Sequence, residues 1–391
     1  MRILFICNSF GKGWAATAHL ATELAEGLVE RGYEVEVWAR GGSREHMVES
    51  CGRRIAVYGD NRKGSCGPKN RVLSELRLLW NFCLRALGTS SHFDSVVCMD
   101  SPRFASMAAG ILKRKTGAKT LAWVMDLAFE QVVQRSGRSL VCLAAMGLTM
   151  LQIWTLSKMD RVITLGDCMA SLLKKRGLHE NKITVIGTWA EDHWASLSVN
   201  IHAARKRFNL HGGFIIMYAG FAADWHDFDS ICEAISETED DSRFQWVFAG
   251  SGPGIDKIRE LSAVSNWPNV VILDRVDRSD LPSFLSCADL HLVSLRSSML
   301  GTCVPSKLYP LMALSKPAVF VGPAECQTAR DLVNAGAGEV VADSHELVEV
   351  IYRLAADSAK LKELGENANR AFRQKHCANV AITQWYETLM G

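Results

Sequence analysis

At 391 residues, with 48% hydrophobic and 22% charged side chains, the chain is too long for one hydrophobic core and apolar enough for two. A formal charge of +2 excludes a dedicated nucleic-acid binder, which needs a strongly basic face. The 12 cysteines are scattered with no Cys-x-x-Cys pair, which excludes a zinc site of the usual spacing and reads as small apolar residues of a reducing compartment.

The apolar run 3–6 reaches Asn8, Ser9 and Gly11 too soon for a secretion signal, so a cytoplasmic chain opening on a buried strand is expected. A helical pattern follows over 15–31 and Gly32 stops it. The β-branched run 35–38 completes a βαβ unit whose strands are apolar throughout, as a sheet covered on both faces requires. Strand 95–99, helix 104–115 and strands 121–125, 161–165 and 182–186 continue a doubly wound sheet. Two segments within this half stand apart. Residues 69–87 set Lys69, Arg71, Arg77 and Arg85 among Leu73, Leu76, Trp80 and Leu84, a composition suited to an anionic membrane surface or to packing on the sheet with the arginines in water. Residues 140–156 carry no charge and fall just short of a bilayer span, which fits a buried helix or one dipping into a membrane. Peripheral contact through 69–87 and 140–156 at the inner face of a membrane is the expectation.

The polar, basic stretch 196–213 reads as an interdomain connection. Strands at 214–218, 245–248, 270–273, 290–294, 318–321 and 339–341 then alternate with helices, and 361–390 is amphipathic, with Ala368, Phe372, Trp385 and Leu389 in one stripe. Domains are expected at 1–195 and 196–371, with a C-terminal helix of about 372–391 packing back on the first. The fold class is α/β: two Rossmann-like doubly wound domains facing a central cleft, where ligands gather at the carboxyl ends of strands.

The segment 301–322 places a polar loop, Ser306, Lys307 and a helix start before a buried strand. A helix N-terminus beside an ammonium suits a phosphate-bearing ligand, and Ser306 is expected to cap that helix. The other reading is an ordinary capped helix with a solvated lysine. Asp227-Phe228-Asp229 has the form of a metal-holding pair but also that of a helix opening, which is the reading preferred. His226, just before it, is either a donor to phosphate or sugar or a surface histidine. Glu325 in the loop after 318–321 suits sugar hydroxyls or plain solvent, and Gly252 belongs to a glycine-rich turn able to lie against a ligand.

Several short motifs in order carry a family resemblance: Gly11-Lys12-Gly13, Val124-Met125-Asp126-Leu127, Tyr218-Ala219-Gly220, Ala249-Gly250-Ser251-Gly252-Pro253, Cys287-Ala288-Asp289-Leu290 and Pro305-Ser306-Lys307. Together they resemble glycosyltransferase family 4 (group 1) of GT-B fold, and the Pro-Ser-Lys form is similar to members that build bacterial surface polysaccharides. The resemblance implies a retaining, metal-independent transferase that takes a sugar from a nucleotide diphosphate, with no cofactor, and passes it to a glycan or lipid-linked acceptor. It implies catalytic roles for Lys307, Asp126 and His226, and donor or phosphate contacts from Gly11, Gly13, Gly220, Gly252, Thr302, Ser306, Lys307 and Glu325. Asp126 ends a strand where it could take the acceptor proton, although a strand-end turn would use it too. Two departures stand out: Thr302 and Pro310 occupy places where many members have glutamates, and Phe221 to His226 replace an arginine and lysine. A GT-B-like binding or scaffold protein partnering a transferase is therefore the alternative. A dinucleotide oxidoreductase ranks last, since Gly11-Lys12-Gly13 leads to Ala16 rather than a third glycine and Arg40 follows the second strand.

Overall fold

The computed structural model describes residues 1–11, 16–60, 68–137, 139–211 and 213–391. They form two compact units: Met1–Gly187 with Gly301–Cys303 and Ala381–Gly391, and Thr188–Leu300 with Val304–Val380.

Unit 1 runs β1 (Arg2–Ile6), α1 (Ala16–Glu30), β2 (Glu34–Arg40), β3 (Arg44–Val48), β4 (Arg53–Asp60), α2 (Pro68–Gly88), β5 (Ser95–Met99), α3 (Ser106–Thr116), β6 (Lys119–Val124), α4 (Ala128–Arg135), α5 (Leu140–Ser157), β7 (Arg161–Thr164), α6 (Asp167–Lys175) and β8 (Ile183–Val185). Its eight strands pair in the order β3-β4-β2-β1-β5-β6-β7-β8. Every pair is parallel except β3 with β4. Ile3 to Ile6 have no exposed surface, because helices cover both faces of the central strands. β3 and β4 were not expected. β3, Arg-Glu-His-Met-Val, is the polar antiparallel edge, which needs no apolar run, and β4 beside it alternates, with Ile55 and Val57 buried and Arg54 exposed.

Unit 2 runs α7 (Ile201–Arg207), β9 (Phe214–Phe221), α8 (Phe228–Glu237), β10 (Phe244–Ser251), α9 (Pro253–Ser265), β11 (Val270–Leu273), α10 (Leu281–Leu285), β12 (Leu290–Ser294), α11 (Leu308–Ala313), β13 (Ala318–Val321), α12 (Gln327–Asn334), β14 (Gly338–Val341), α13 (Ser344–Ala355) and α14 (Ser358–Ala371). The six strands are all parallel, in the order β11-β10-β9-β12-β13-β14. Phe228, Trp246 and Phe248 pack in its core. The stretch read as a connection carries α7, whose Arg205 pairs with Asp289 at 2.7 Å and donates to the Cys287 carbonyl.

The C-terminal stripe is interrupted. A π-helical turn, Phe372–His376, and extended Cys377 separate α14 from α15 (Ala378–Met390). The Ala190 amide donates to the His376 carbonyl and Asp192 accepts from the first amide of α15, which restarts the helix there. From Ala381 on, α15 packs on sheet 1: Trp385 lies edge-on to Trp123 with ring centroids 4.8 Å apart. Ile382 also lies so close to Gly27 of α1 that a Cβ there would sit 2.6 Å from its Cδ1.

Candidate functional site

In unit 2 the chain leaves β9 toward β10 on one side and returns through β12 on the other, so the carboxyl ends of β9 and β12 diverge at a topological switch point. The Lys307 side chain reaches this place. Its Nζ donates to the Phe221 carbonyl at 3.1 Å, stands 3.4 Å from His226 Nε2 and lies 5.0 Å from the centre of the Tyr218 ring. The Tyr218 hydroxyl donates to the same Phe221 carbonyl at 3.1 Å.

His226 is buried, with Nδ1 2.6 Å from the Ser294 carbonyl at the end of β12. A carbonyl only accepts, so Nδ1 carries the proton and Nε2 presents its lone pair to the ammonium. Burial, and then the Lys307 charge, push this histidine down to about 3, against the Ser294 bond that favours the charged form. A neutral imidazole that aims a lysine is the chemistry available here, which favours neither the surface histidine nor the phosphate donor considered from sequence.

Gly220 has φ +125°, and a Cβ there would lie 2.8 Å from Lys307 Cε, so any side chain would displace the ammonium. Gly252, at φ +113°, lies against the Ala222 carbonyl. Ser306 does not cap the following helix: α11 begins at Leu308, and Lys307 occupies the cap position with no side-chain cap bond. At six residues the helix is short, so the side-chain cation rather than the helix end is the charge held here. Glu325 is exposed in the loop after β13, at the same end of the sheet.

Asp227 and Asp229 both have structural partners. Asp227 caps α8 by accepting from the Ser230 amide, and Asp229 pairs with Lys257 and with Arg296. The Lys257 bond, reinforced by Arg296, holds the Asp229 carboxyl below its ordinary range.

The remaining candidates lie in unit 1. Its own switch point falls between β1 and β5, and a polar cavity of about 100 Å³ opens there. Asn8, Ser9, Asp100, Arg103 and Asp126 are among its lining residues. Asp126 is exposed after β6 and forms a bridge with Cys303. Burial, and then the neighbouring Asp126 charge, push the Asp100 carboxyl well above the ordinary range, while the Gln152 amide donates to it at 2.8 Å. Thr302 has no exposed surface, and its carbonyl accepts from the Leu127 amide at 2.7 Å. Gly11 has φ +115° and donates to Thr22 Oγ1 at 2.8 Å, whereas Gly13 and Lys12 lie outside the described residues.

Ser294, Asp100 and Gln152 were not singled out by sequence, and Tyr218 entered only as part of the Tyr218-Ala219-Gly220 motif. Only Asp100 left a readable signal: Met99-Asp100 ends β5 as Met125-Asp126 follows β6, a repeated Met-Asp at adjacent strand ends.

Two Rossmann-like units, with polar side chains gathered beyond the carboxyl ends of their parallel strands, have the architecture of the GT-B fold. Residues 16–189 match the family described as glycosyl transferase 4-like domain. A Pseudomonas aeruginosa protein named "probable glycosyltransferase WbjE" is 22% identical over 69% of this chain and 68% of its own length. Among solved structures, Anabaena HepE in complex with UDP-glucose superposes with a TM-score of 0.72 at 15% identity, covering 100% of this chain and 99% of that one. WaaG, described as a glycosyltransferase involved in lipopolysaccharide biosynthesis, superposes with a TM-score of 0.69 at 15% identity over 98% of each chain. Over residues 16–189 the chain is thus similar to glycosyltransferases of family 4.

Proposed function

We propose that this glycosyltransferase moves a sugar from a nucleotide diphosphate to an acceptor hydroxyl in cell-surface polysaccharide or glycolipid synthesis. The transfer retains the anomeric configuration and needs no essential metal. The observation that carries the reading is the Lys307 ammonium, held by Phe221, His226 and Tyr218 at the switch point of unit 2. When the glycosidic bond breaks, charge grows on the departing diphosphate, and a cation already in place stabilises it without reorganisation. His226 is a positioning residue for that cation. Gly220, Gly252 and Ser306 are assigned to the diphosphate and Glu325 to donor hydroxyls.

Residues 196–371 then serve the nucleotide sugar and residues 1–195 the acceptor, with Asp126 taking the acceptor proton. Asp100 beside it, with its carboxyl pushed up by burial and by the Asp126 charge, favours the neutral form. HepE's complex with UDP-glucose supports a nucleotide-sugar donor, and WaaG's role in lipopolysaccharide biosynthesis supports a surface glycan.

The test is thermal shift and calorimetric titration with UDP, UDP-glucose and a panel of other nucleotide diphosphate sugars, on the wild type and Lys307→Ala. One donor should raise Tm in the wild type and bind at least about tenfold more weakly to the variant, whose unliganded Tm stays unchanged. Equal binding by both proteins would overturn the assignment. Labelled donor then separates transfer to a lipid extract from binding without turnover.

A further inference from the structure

The face of sheet 1 that carries α2, α3 and α5 is built inside out. These helices follow β4, β5 and β6 in crossovers of one direction, α3 packs against both α2 and α5, and all are opposite the α1–α15 face. In α5 the polar side chains point inward: Thr149, Gln152 and Thr155 are buried, with Gln152 donating to Asp100 and Thr155 paired with Ser106. Most of its large apolar side chains point outward, among them Leu140, Leu143, Met146, Met150 and Trp154, with Leu140 84% exposed, while Ile153 and Leu156 are buried. In α2 the outward stripe is Leu73, Leu76, Trp80, Leu84 and Leu87, at helical spacing, with Trp80 65% exposed. Water is a poor solvent for such stripes, and exposed apolar side chains gathered in this way mark an interaction site.

The charges around it select the partner. The sequences of α2, α3 and α5 contain one carboxylate, Glu75, which is mostly covered and paired with Arg103. The exposed charges are basic: Arg77, Arg85, Arg114 and Lys115, with Lys158 capping α5 beside Trp154. In a chain with 44 basic and 42 acidic residues, these three helices thus carry a single carboxylate. A symmetric second copy would set cation against cation, whereas anionic lipid headgroups complement the rim while acyl chains take the stripe.

We infer that the α2–α3–α5 face docks on the surface of an anionic bilayer, with both apolar stripes lying in the headgroup boundary. Neither helix spans. Lifting α5 out would strand Gln152, Thr149 and Thr155 in hydrocarbon, and its 18 residues reach only about 27 Å, short of a hydrocarbon core of about 30 Å. The inference goes beyond the transfer reading and stands without it.

The experiment is co-sedimentation of the full chain with vesicles of phosphatidylcholine alone or mixed with phosphatidylglycerol, at low and high salt, with chromatography and light scattering for oligomeric state. The wild type should bind the mixed vesicles, release in high salt and ignore the neutral ones. Leu76→Glu with Trp80→Glu, Leu143→Glu with Met150→Glu, and Arg77→Glu with Arg114→Glu should each weaken binding by at least about tenfold. All six side chains are exposed, and circular dichroism checks that the variants fold. Absent binding, equal binding to neutral vesicles, binding unaltered by the variants, or a dimer that the apolar variants dissolve would each overturn the inference.

Discussion

The two switch points are alike in backbone and opposite in charge. In unit 1 the crevice beyond β1 and β5 is lined by Asp100 and Asp126, while the equivalent crevice beyond β9 and β12 in unit 2 holds Lys307 against a neutral His226. Parallel sheets of either size create the same kind of polar opening, because strand order reverses there and the connections part. The side chains then set its sign. A carboxylate pair suits a hydroxyl that must lose a proton, and a fixed ammonium suits a leaving group that gains negative charge.

The largest test of that comparison removes the support of one sheet only. Trp385→Ala empties a fully buried site against Trp123 and should cost about 3–5 kcal/mol, with hydrogen exchange rising across β1, β5 and β6 rather than β9 to β13. Next in size is Gly220→Ala, whose Cβ would collide with Lys307 and adopt a left-handed backbone. Donor affinity should fall about tenfold or more by calorimetry, as in Lys307→Ala.

The pH dependence should run in opposite directions. His226 and His291, each pushed down to about 3 chiefly by burial, take up protons in the unfolded chain near pH 6.5 but not in the folded one. Unit 2 therefore loses stability as pH falls from about 6.5 toward 3. Asp100 in unit 1 has its carboxyl raised, so its contribution is present in acid and is lost as pH rises. Hydrogen exchange resolved by strand, measured against pH, checks both slopes. The smallest effect is Asp100→Asn, which removes that loss and the repulsion with Asp126. Tm at neutral pH should rise by about 2–4 °C, and a fall would break the carboxylate-pair reading.

The buried strands were readable from local chemistry. Ile3 to Ile6, the 214–218 run and the 318–321 run are continuously apolar because strands covered on both faces have no side to leave polar. The glycine motifs lay near strand ends, Pro305-Ser306-Lys307 marked the start of α11, and Asp227 read correctly as a cap. Edge strand β3 escaped because an edge does not require an apolar run, β4 because only alternate residues such as Ile55 and Val57 are buried, and the break at Cys377 because it is imposed by Ala190 and Asp192, far away in the chain.

The partners of Lys307 depended on distance in space. Phe221 and His226 are 86 and 81 residues away, and no spacing rule links them to it. The sequence by itself determined where polar chemistry could stand, since periodicity and turn residues act over a few positions. Tertiary structure alone decided which imidazole would be buried and neutral, which carboxyl would be pushed up by burial and its neighbour, and which apolar helices would face outward. Burial and charge proximity are properties of the packed chain, and they set protonation and exposure.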